Sequence, residues 1–223
     1  MVFTALIFMT VVARPYIRIP QNLLLAPPPS EHISVDLESP QAFYERGVKL
    51  MLSGSLSDAQ KGLSLLEMSA TQGDGKAACE LAAYYRWMHP DDVELARWMC
   101  PCAEQRPTAD RETVMAELYL EGRGVSLNMS EAVRWYERAA THGGTEARRF
   151  LFYLYRNGNG DVQPNNALAR RYAIALTQYI PADEDAVNYL LEQARERNPD
   201  ALAWAHEWNH RLKQRASPLF YNR

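Results

Sequence analysis

Residues 206–210 read HEWNH, which has the HExxH spacing of zinc-dependent peptidases. On a helix, His206 and His210 would lie one turn apart on the same face, where both imidazoles could bind one zinc ion. Glu207 could then act as general base on a zinc-bound water. The chemistry that this pattern indicates is metal-assisted hydrolysis.

A catalytic zinc site needs a third protein ligand, and the sequence does not supply one near the motif. After His210 the chain reads RLKQRASPLFYNR, which contains no His, Asp, Glu or Cys. A ligand from upstream, such as His89 or His142, is not positioned by any motif. We therefore interpret residues 201–212 as an amphipathic terminal helix and keep a zinc hydrolase as an alternative. The side chains expected to pack inward are Leu202, Ala205, Trp208 and Leu212, with both histidines in solvent.

The three cysteines are Cys79, Cys100 and Cys102. They are too few and too irregularly spaced for a disulfide scaffold or a structural zinc site. Cys100 and Cys102 lie too close along a helix to bridge each other, so a bridge would join Cys79 to one of them. Such a bridge would staple a helix pair in an oxidising compartment. The alternative is that the thiols stay reduced and fill small sites in the core.

Composition places the chain among globular proteins. It has 223 residues, a hydrophobic fraction of 47% and a formal net charge of -3. Neither the charge nor any basic run offers an electrostatic surface for nucleic acid. We expect no nucleic-acid partner.

The first 40 residues differ in composition from the rest of the chain. Residues 1–13 contain an apolar run of signal-peptide length, which predicts export or a membrane anchor, although no basic residue precedes it. Residues 14–40 are rich in proline and predict an extended linker. Ser39 and Pro40 then have the types expected at an N-cap and a first helical position. We expect contact with a membrane only through the N-terminal segment.

Beyond Pro40 the chain resembles itself at a period of about 35 residues. Leu81-Ala82-x-x-Tyr85 recurs as Met115-Ala116-x-x-Tyr119-x-x-Gly122 and as Leu151-Phe152-x-x-Tyr155-x-x-Gly158. Each repeat reads as a helix, a glycine-bearing turn and a second helix, with small residues and aromatics at the interior positions. One helix pair cannot bury both faces, so the pairs must stack. In the second repeat Met88-His89-Pro90 replaces the glycine turn and predicts an altered helix connection.

Residues 116–144, AELYLEGRGVSLNMSEAVRWYERAATHGG, resemble a Sel1-like repeat, a relative of the tetratricopeptide repeats. The resemblance implies an all-α fold, a right-handed α-solenoid of stacked antiparallel helix pairs. The repeat domain is expected over residues 41–215, with about five pairs, of which the first, second and last are degenerate. Residues 216–223 are expected to form a tail.

The resemblance also implies a non-catalytic protein that binds a partner protein along a concave face. It implies no cofactor and no metal. Bacterial members with export signals act in the cell envelope, some as immunity proteins that neutralise a secreted effector. We therefore expect a periplasmic or inner-membrane-tethered protein, with a cytoplasmic one as the alternative. A self-assembling envelope component is a further alternative function.

The residues expected to contact the partner lie between the repeat-defining positions of the first helices, where side chains should face outward. They are Tyr84, Arg86 and Trp87 in one repeat, Glu117, Leu118 and Glu121 in the next, and Arg149, Tyr153 and Arg156 in the third.

Overall fold

The computed structural model of the chain describes residues 39–178 and 183–216. Residues 1–13, most of the expected linker and the tail beyond residue 216 lie outside these ranges. All regular secondary structure within them is helical, which confirms the predicted all-α solenoid class. No helix in these ranges is both long enough and apolar enough to cross a lipid bilayer.

Ten α-helices and one π-helix follow each other in the described ranges. The α-helices are α1 (Pro40–Met51), α2 (Leu56–Thr71), α3 (Gly75–Ala83), α4 (Asp92–Gln105), α5 (Ala109–Glu121), α6 (Met129–Thr141), α7 (Thr145–Asn157), α8 (Asn166–Leu176), α9 (Glu184–Arg195) and α10 (Pro199–Ala216). The π-helix (Tyr84–Met88) directly continues α3.

The helices form two compact units. The first unit ends at Asn128 and the second begins at Met129. Within each unit, every helix packs against the next one along the chain, and α10 also contacts α8. Because most of the connections are short turns, successive helices run antiparallel, as helix pairs of a repeat protein do.

Helix starts follow the sequence signals. The Ser39 hydroxyl accepts a hydrogen bond from the Ala42 amide at 3.2 Å, and Pro40 occupies the first turn of α1. Asn165 caps α8 in the same way, since its side-chain oxygen accepts from two amides of the first turn. These side chains satisfy amide groups that have no partner within their own helix.

The core contains the aromatic and small residues that the repeat pattern assigns to it. Tyr85, Trp135 and Tyr172 are buried, as are Ala116 and Ala132. Burial of large aromatic rings between closely spaced helices supplies most of the apolar contact in such pairs. These interior positions are thus confirmed, whereas Tyr119, at the repeat position equivalent to Tyr85, is only half-buried.

The turn after α5 needs glycine for two different reasons. Gly122 ends the helix with φ of 69°, a left-handed conformation that a residue with a Cβ rarely adopts. Gly124 also has a positive φ, of 68°, and a Cβ there would lie 1.9 Å from the carbonyl oxygen of Asp92. The loop therefore rests directly on the start of α4.

Candidate partner-binding site

The predicted change in the connection after α3 is confirmed as a π-helix. The His89 amide donates to the Tyr84 carbonyl at 3.0 Å, a bond that spans five residues instead of four. Pro90 follows and cannot continue the helix, because it has no amide hydrogen. The turn places Arg86 and Trp87 side by side at the end of the helix.

Trp87 presents a large apolar side chain to solvent. Half of its surface is exposed. The Arg86 guanidinium lies over its indole ring, 4.6 Å from the ring centroid. This cation–π contact favours the observed arrangement of the two side chains by about 0.5–1 kcal/mol, the usual value at an exposed site. Tryptophan and arginine are the residue types that most often dominate the energy of protein interfaces.

An open cleft of about 180 Å³ adjoins Trp87. Ala83, Met99 and a disulfide between Cys79 and Cys102 give it apolar walls. Its polar and remaining lining residues are Arg86, Trp87, Thr108, Asp110 and Arg111. The cleft therefore combines apolar and polar surface in about equal amounts, with charged groups of both signs.

The disulfide settles a choice that the sequence leaves open. Cys79 in α3 pairs with Cys102 in α4, with a Cα–Cα distance of 4.7 Å. Cys100 stays outside the bond, because two residues along a helix turn a side chain to nearly the opposite face. The bond fixes the helix that leads into the π-helix against its neighbour.

Two of the predicted residues of α5, Glu117 and Glu121, interact electrostatically with arginines outside that helix. Burial raises the pKa of the Glu117 carboxyl, the Arg86 guanidinium opposes that rise, and Glu121 adds to it. Arg123 bridges two further carboxylates, with 2.7 Å to Glu121 and 3.4 Å to Asp92. Arg86 and Glu117 thus interact across the space between the π-helix and α5.

Two of the predicted contact residues do not reach solvent. Tyr84 is 4% exposed and Leu118 is fully buried, so the expectation that they face outward is wrong. The reason is helical periodicity, since Tyr84 lies one turn after the buried Leu81 and Leu118 one turn after the buried Val114. Tyr84 packs instead against Tyr85 and against the ring of His89.

In the second unit, the predicted residues Arg149, Tyr153 and Arg156 contact their own chain. Arg149 forms ion pairs with Glu146 at 2.8 Å and with Asp183 at 2.9 Å. The Tyr153 hydroxyl donates to Asp185, and the Arg156 guanidinium lies 5.3 Å from the centroid of the Tyr189 ring. These contacts tie α7 to the start and middle of α9, and the role of the three residues in partner binding stays a prediction.

The HEWNH segment lies within α10, with His206, Glu207 and His210 exposed. Of the residues expected to face inward, Ala205 and Trp208 are half-buried, but Leu202 and Leu212 are 36% and 47% exposed. That part of the expectation is wrong because the buried face is centred on Ala201 and Trp204. Across residues 39–178 and 183–216, no group of three or more His, Cys, Asp and Glu side chains is placed to hold a metal ion. The hydrolase alternative therefore has no third ligand within these ranges.

Some residues of this surface were not predicted from the sequence. Met99, Asp110 and Arg111 line the cleft, but they lie on α4 and α5, far along the sequence from Trp87 or outside its helix. Apart from the lining of that cleft, Val93 and Leu127 of the same unit are 63% and 67% exposed. Because both side chains are apolar, the sequence alone suggests that they are buried. Their exposure follows from their positions, since Val93 lies in the first turn of α4 and Leu127 lies in the loop before α6.

Comparison with known proteins identifies the repeat. The sequence model of the Sel1 repeat family matches residues 42–74, 113–144 and 145–175. An uncharacterised protein of Neisseria meningitidis serogroup B is 28% identical over 134 residues, which cover 60% of this chain and 28% of the relative. This chain thus spans little more than a quarter of the length of that relative.

Two solved structures are similar to the chain. A Sel1 repeat protein from Oxalobacter formigenes is 28% identical, covers 73% of each chain and gives a TM-score of 0.48. A protective antigen of uropathogenic Escherichia coli with an SLR fold is 16% identical, covers 74% of this chain and 44% of its own, and gives a TM-score of 0.40. The segments that match the Sel1 family model leave out residues 75–112. This range contains the disulfide and the π-helix.

Proposed function

This chain belongs to the Sel1-like repeat proteins, which serve as scaffolds for protein–protein interaction, and on that premise we propose that it binds a partner protein in the bacterial cell envelope. The binding site is the Trp87 surface, defined here as Arg86, Trp87, Glu117 and the adjoining cleft between Met99 and Arg111. The role is non-catalytic.

The observation that carries this proposal is the exposure of Trp87 beside a partly apolar cleft. An indole that is half exposed leaves a large apolar area in water, and covering it releases free energy. The stacked Arg86 and the fixed backbone of the π-helix reduce the conformational entropy that binding would otherwise cost. A partner gains most by placing an apolar side chain against this site.

The charges around the cleft suit a partner with a mixed polar rim. Arg86 and Arg111 contribute positive charge, while Asp110 and Glu117 contribute negative charge. Protein interfaces typically combine an apolar centre with a polar, solvated rim of this kind. Complementary charges on the partner would fix its orientation more than its affinity.

The disulfide between Cys79 and Cys102 supports an oxidising location. We propose the periplasm, with free or membrane-tethered protein as the two forms. The export or anchor role of residues 1–13 stays a prediction. A partner in this compartment would be another envelope protein or an exported effector, and in its narrowest form the proposed role is that of an immunity protein that inhibits such an effector.

Affinity capture after mild crosslinking in intact cells tests the proposal. The tagged wild-type chain is expected to recover one partner in stoichiometric amount, and a variant with Arg86→Ala and Trp87→Ala is expected to lose it. The matched control is Leu127→Ala, which removes a more exposed apolar side chain from the same unit. Capture that survives the double substitution, or that is lost equally in the control, contradicts the proposed site.

The identity of the captured protein distinguishes the proposed roles. A cognate toxic effector whose toxicity the wild-type chain suppresses, and the double variant does not, supports the immunity role. Recovery of a second copy of the same chain, with light scattering that shows growth in mass with concentration, supports the self-assembling alternative instead. Recovery of the bait alone contradicts a stable partner.

A further inference from the structure

The two histidines of HEWNH lie on the exposed side of α10, opposite its buried residues. Ala201 and Trp204 are the buried residues among the described side chains of this helix. At 100° per residue, His206 and His210 point almost directly away from that buried face, and both are exposed. They also lie four residues apart, so their Cβ atoms are roughly 5–6 Å from each other.

Two imidazoles in this arrangement can bind one metal ion together. Imidazole nitrogen is a good ligand for Zn²⁺, Ni²⁺ and Cu²⁺, at metal–nitrogen distances of about 2.0–2.1 Å for zinc. A helical backbone fixes the spacing of the two rings, so little additional ordering is needed when the second ring binds. Glu207 lies next to His206 in sequence and therefore projects from a different line of the helix.

An ion bound by His206 and His210 would stabilise the part of α10 in which the pair lies. The first half of the helix is anchored, since the indole nitrogen of Trp204 donates to the Thr177 hydroxyl at 2.9 Å in the core. Further along, the described side chains are exposed or half-buried, and Leu212 is 47% exposed. An ion held by residues 206 and 210 would bridge one turn of this less anchored part and would require it to be helical.

We infer that His206 and His210 form a chelating site for one divalent late first-row transition ion per chain, and that the bound ion stabilises the second half of α10. Two coordination positions or more are left to water. Cu²⁺ binds most tightly, because nitrogen ligands follow the order in which Cu²⁺ exceeds both Ni²⁺ and Zn²⁺. The ion acts as a structural clip on the last described helix and is separate from the Trp87 surface.

The test uses the untagged full chain and copper sulfate. Isothermal titration is expected to give one ion per chain, and electron paramagnetic resonance of the bound Cu²⁺ is expected to show two nitrogen ligands from imidazole. His206→Gln and His210→Gln should each weaken binding by at least about tenfold, since each removes one of two ligands. Amide exchange over residues 206–212 should slow when the ion is bound to the wild-type chain.

A variant with the same composition provides the control. His206→Asn combined with Asn209→His keeps the number of imidazoles but makes them adjacent in sequence, where they project about 100° apart and cannot share an ion. It should bind as weakly as the single variants, whereas Glu207→Gln should bind as tightly as the wild type. The proposed site would be overturned by any of three results. They are binding that is unchanged when the positions are exchanged, no binding at all, and a ratio of one ion to two chains. Binding without slower amide exchange would overturn the structural clip.

Discussion

The disulfide between Cys79 and Cys102 lies in the wall of the cleft beside the exposed indole of Trp87. Cys79 is in α3, and the π-helix that carries Trp87 begins directly after that helix ends. The covalent bond to α4 therefore restrains the segment from which Arg86 and Trp87 project. The geometry of the proposed binding surface and the stability of the first unit depend on the same bond.

The first prediction is that removal of this bond destabilises the chain. A cysteine pair separated by 23 residues closes a loop whose entropy in the unfolded state corresponds to about 3 kcal/mol of stability. The double substitution Cys79→Ala and Cys102→Ala should lower the free energy of unfolding of the first unit by about this amount. Urea denaturation followed by circular dichroism measures the change.

A reducing agent provides the internal control for that experiment. Dithiothreitol should lower the stability of the wild-type chain and leave the double variant unchanged, because the variant has no bond to reduce. If dithiothreitol has no effect on the wild type, the bond does not contribute to stability as stated.

The second prediction concerns the close approach at Gly124. Gly124→Ala adds a Cβ that would lie 1.9 Å from the Asp92 carbonyl oxygen, and it also forces alanine into a positive φ. We expect a loss of stability of about 3 kcal/mol or more, because backbone must move on both sides of the contact. Thermal denaturation of the purified variant measures it.

Gly143→Ala separates the two causes. Gly143 has a positive φ of 92°, but no atom lies within 4 Å of the added Cβ, so only the backbone conformation is strained. The cost should be about 1 kcal/mol. Equal losses in the two glycine variants would show that the contact with Asp92 does not determine the effect.

The third prediction is a pH dependence that originates at Glu67. Burial raises the pKa of this carboxyl above its ordinary value of 4.5, and Glu94 raises it further, while Arg97 and a hydrogen bond from Tyr85 oppose the rise. Between pH 4.5 and the higher folded-state pKa, the folded chain binds more protons than the unfolded chain. The stability contributed by this group is thus fully present below pH 4.5 and is lost as the pH rises through the folded-state pKa.

Glu67→Gln removes that loss. The difference in unfolding free energy between the variant and the wild type should therefore become more favourable to the variant as the pH is raised from 4 to 7. Urea denaturation at each pH gives the difference. Leu127→Ala, which removes no ionisable group, should give a difference that does not vary with pH. A flat difference for Glu67→Gln would contradict the assignment.

The fourth prediction separates two roles of Asp183 in the second unit. Its side chain accepts from the Ala186 amide at 3.1 Å, which caps α9, and also from the Arg149 guanidinium at 2.9 Å. Asp183→Ala loses both contacts and should cost about 1–2 kcal/mol. Asp183→Asn retains a capping oxygen and should cost less than about 1 kcal/mol, because a partly exposed ion pair contributes little. Equal costs in chemical denaturation would contradict the capping role.

The fold was predictable from the sequence because it depends on local and periodic signals. Ser39 and Pro40 mark the first helix by residue type alone, and the glycines after α5 mark a turn that needs positive φ. Trp135 and Tyr172, two aromatics that the repeat pattern assigns to the interior, are both buried. These signals act within a few residues of where they occur, so a single sequence contains them.

The candidate site was less predictable because it depends on contacts between helices. The choice of Cys102 over Cys100 follows from which face of α4 meets α3, and Arg111 reaches the cleft from a third helix. Tyr84 and Leu118 differ from the prediction based on repeat positions because the helical period sets each of them one turn from a buried residue. The shift of the exposed face in α10 toward Leu202 likewise depends on its packing against α8 and α9.

The central claim, that the Trp87 surface binds a partner protein, is tested most directly by site-specific photocrosslinking in cells. Benzoylphenylalanine is introduced in place of Trp87 in one strain and in place of Leu127, which is at least as exposed, in another. We predict one discrete crosslinked product of higher mass from position 87 after irradiation, and none from position 127. No product from position 87, or the same products from both positions, would contradict the claim.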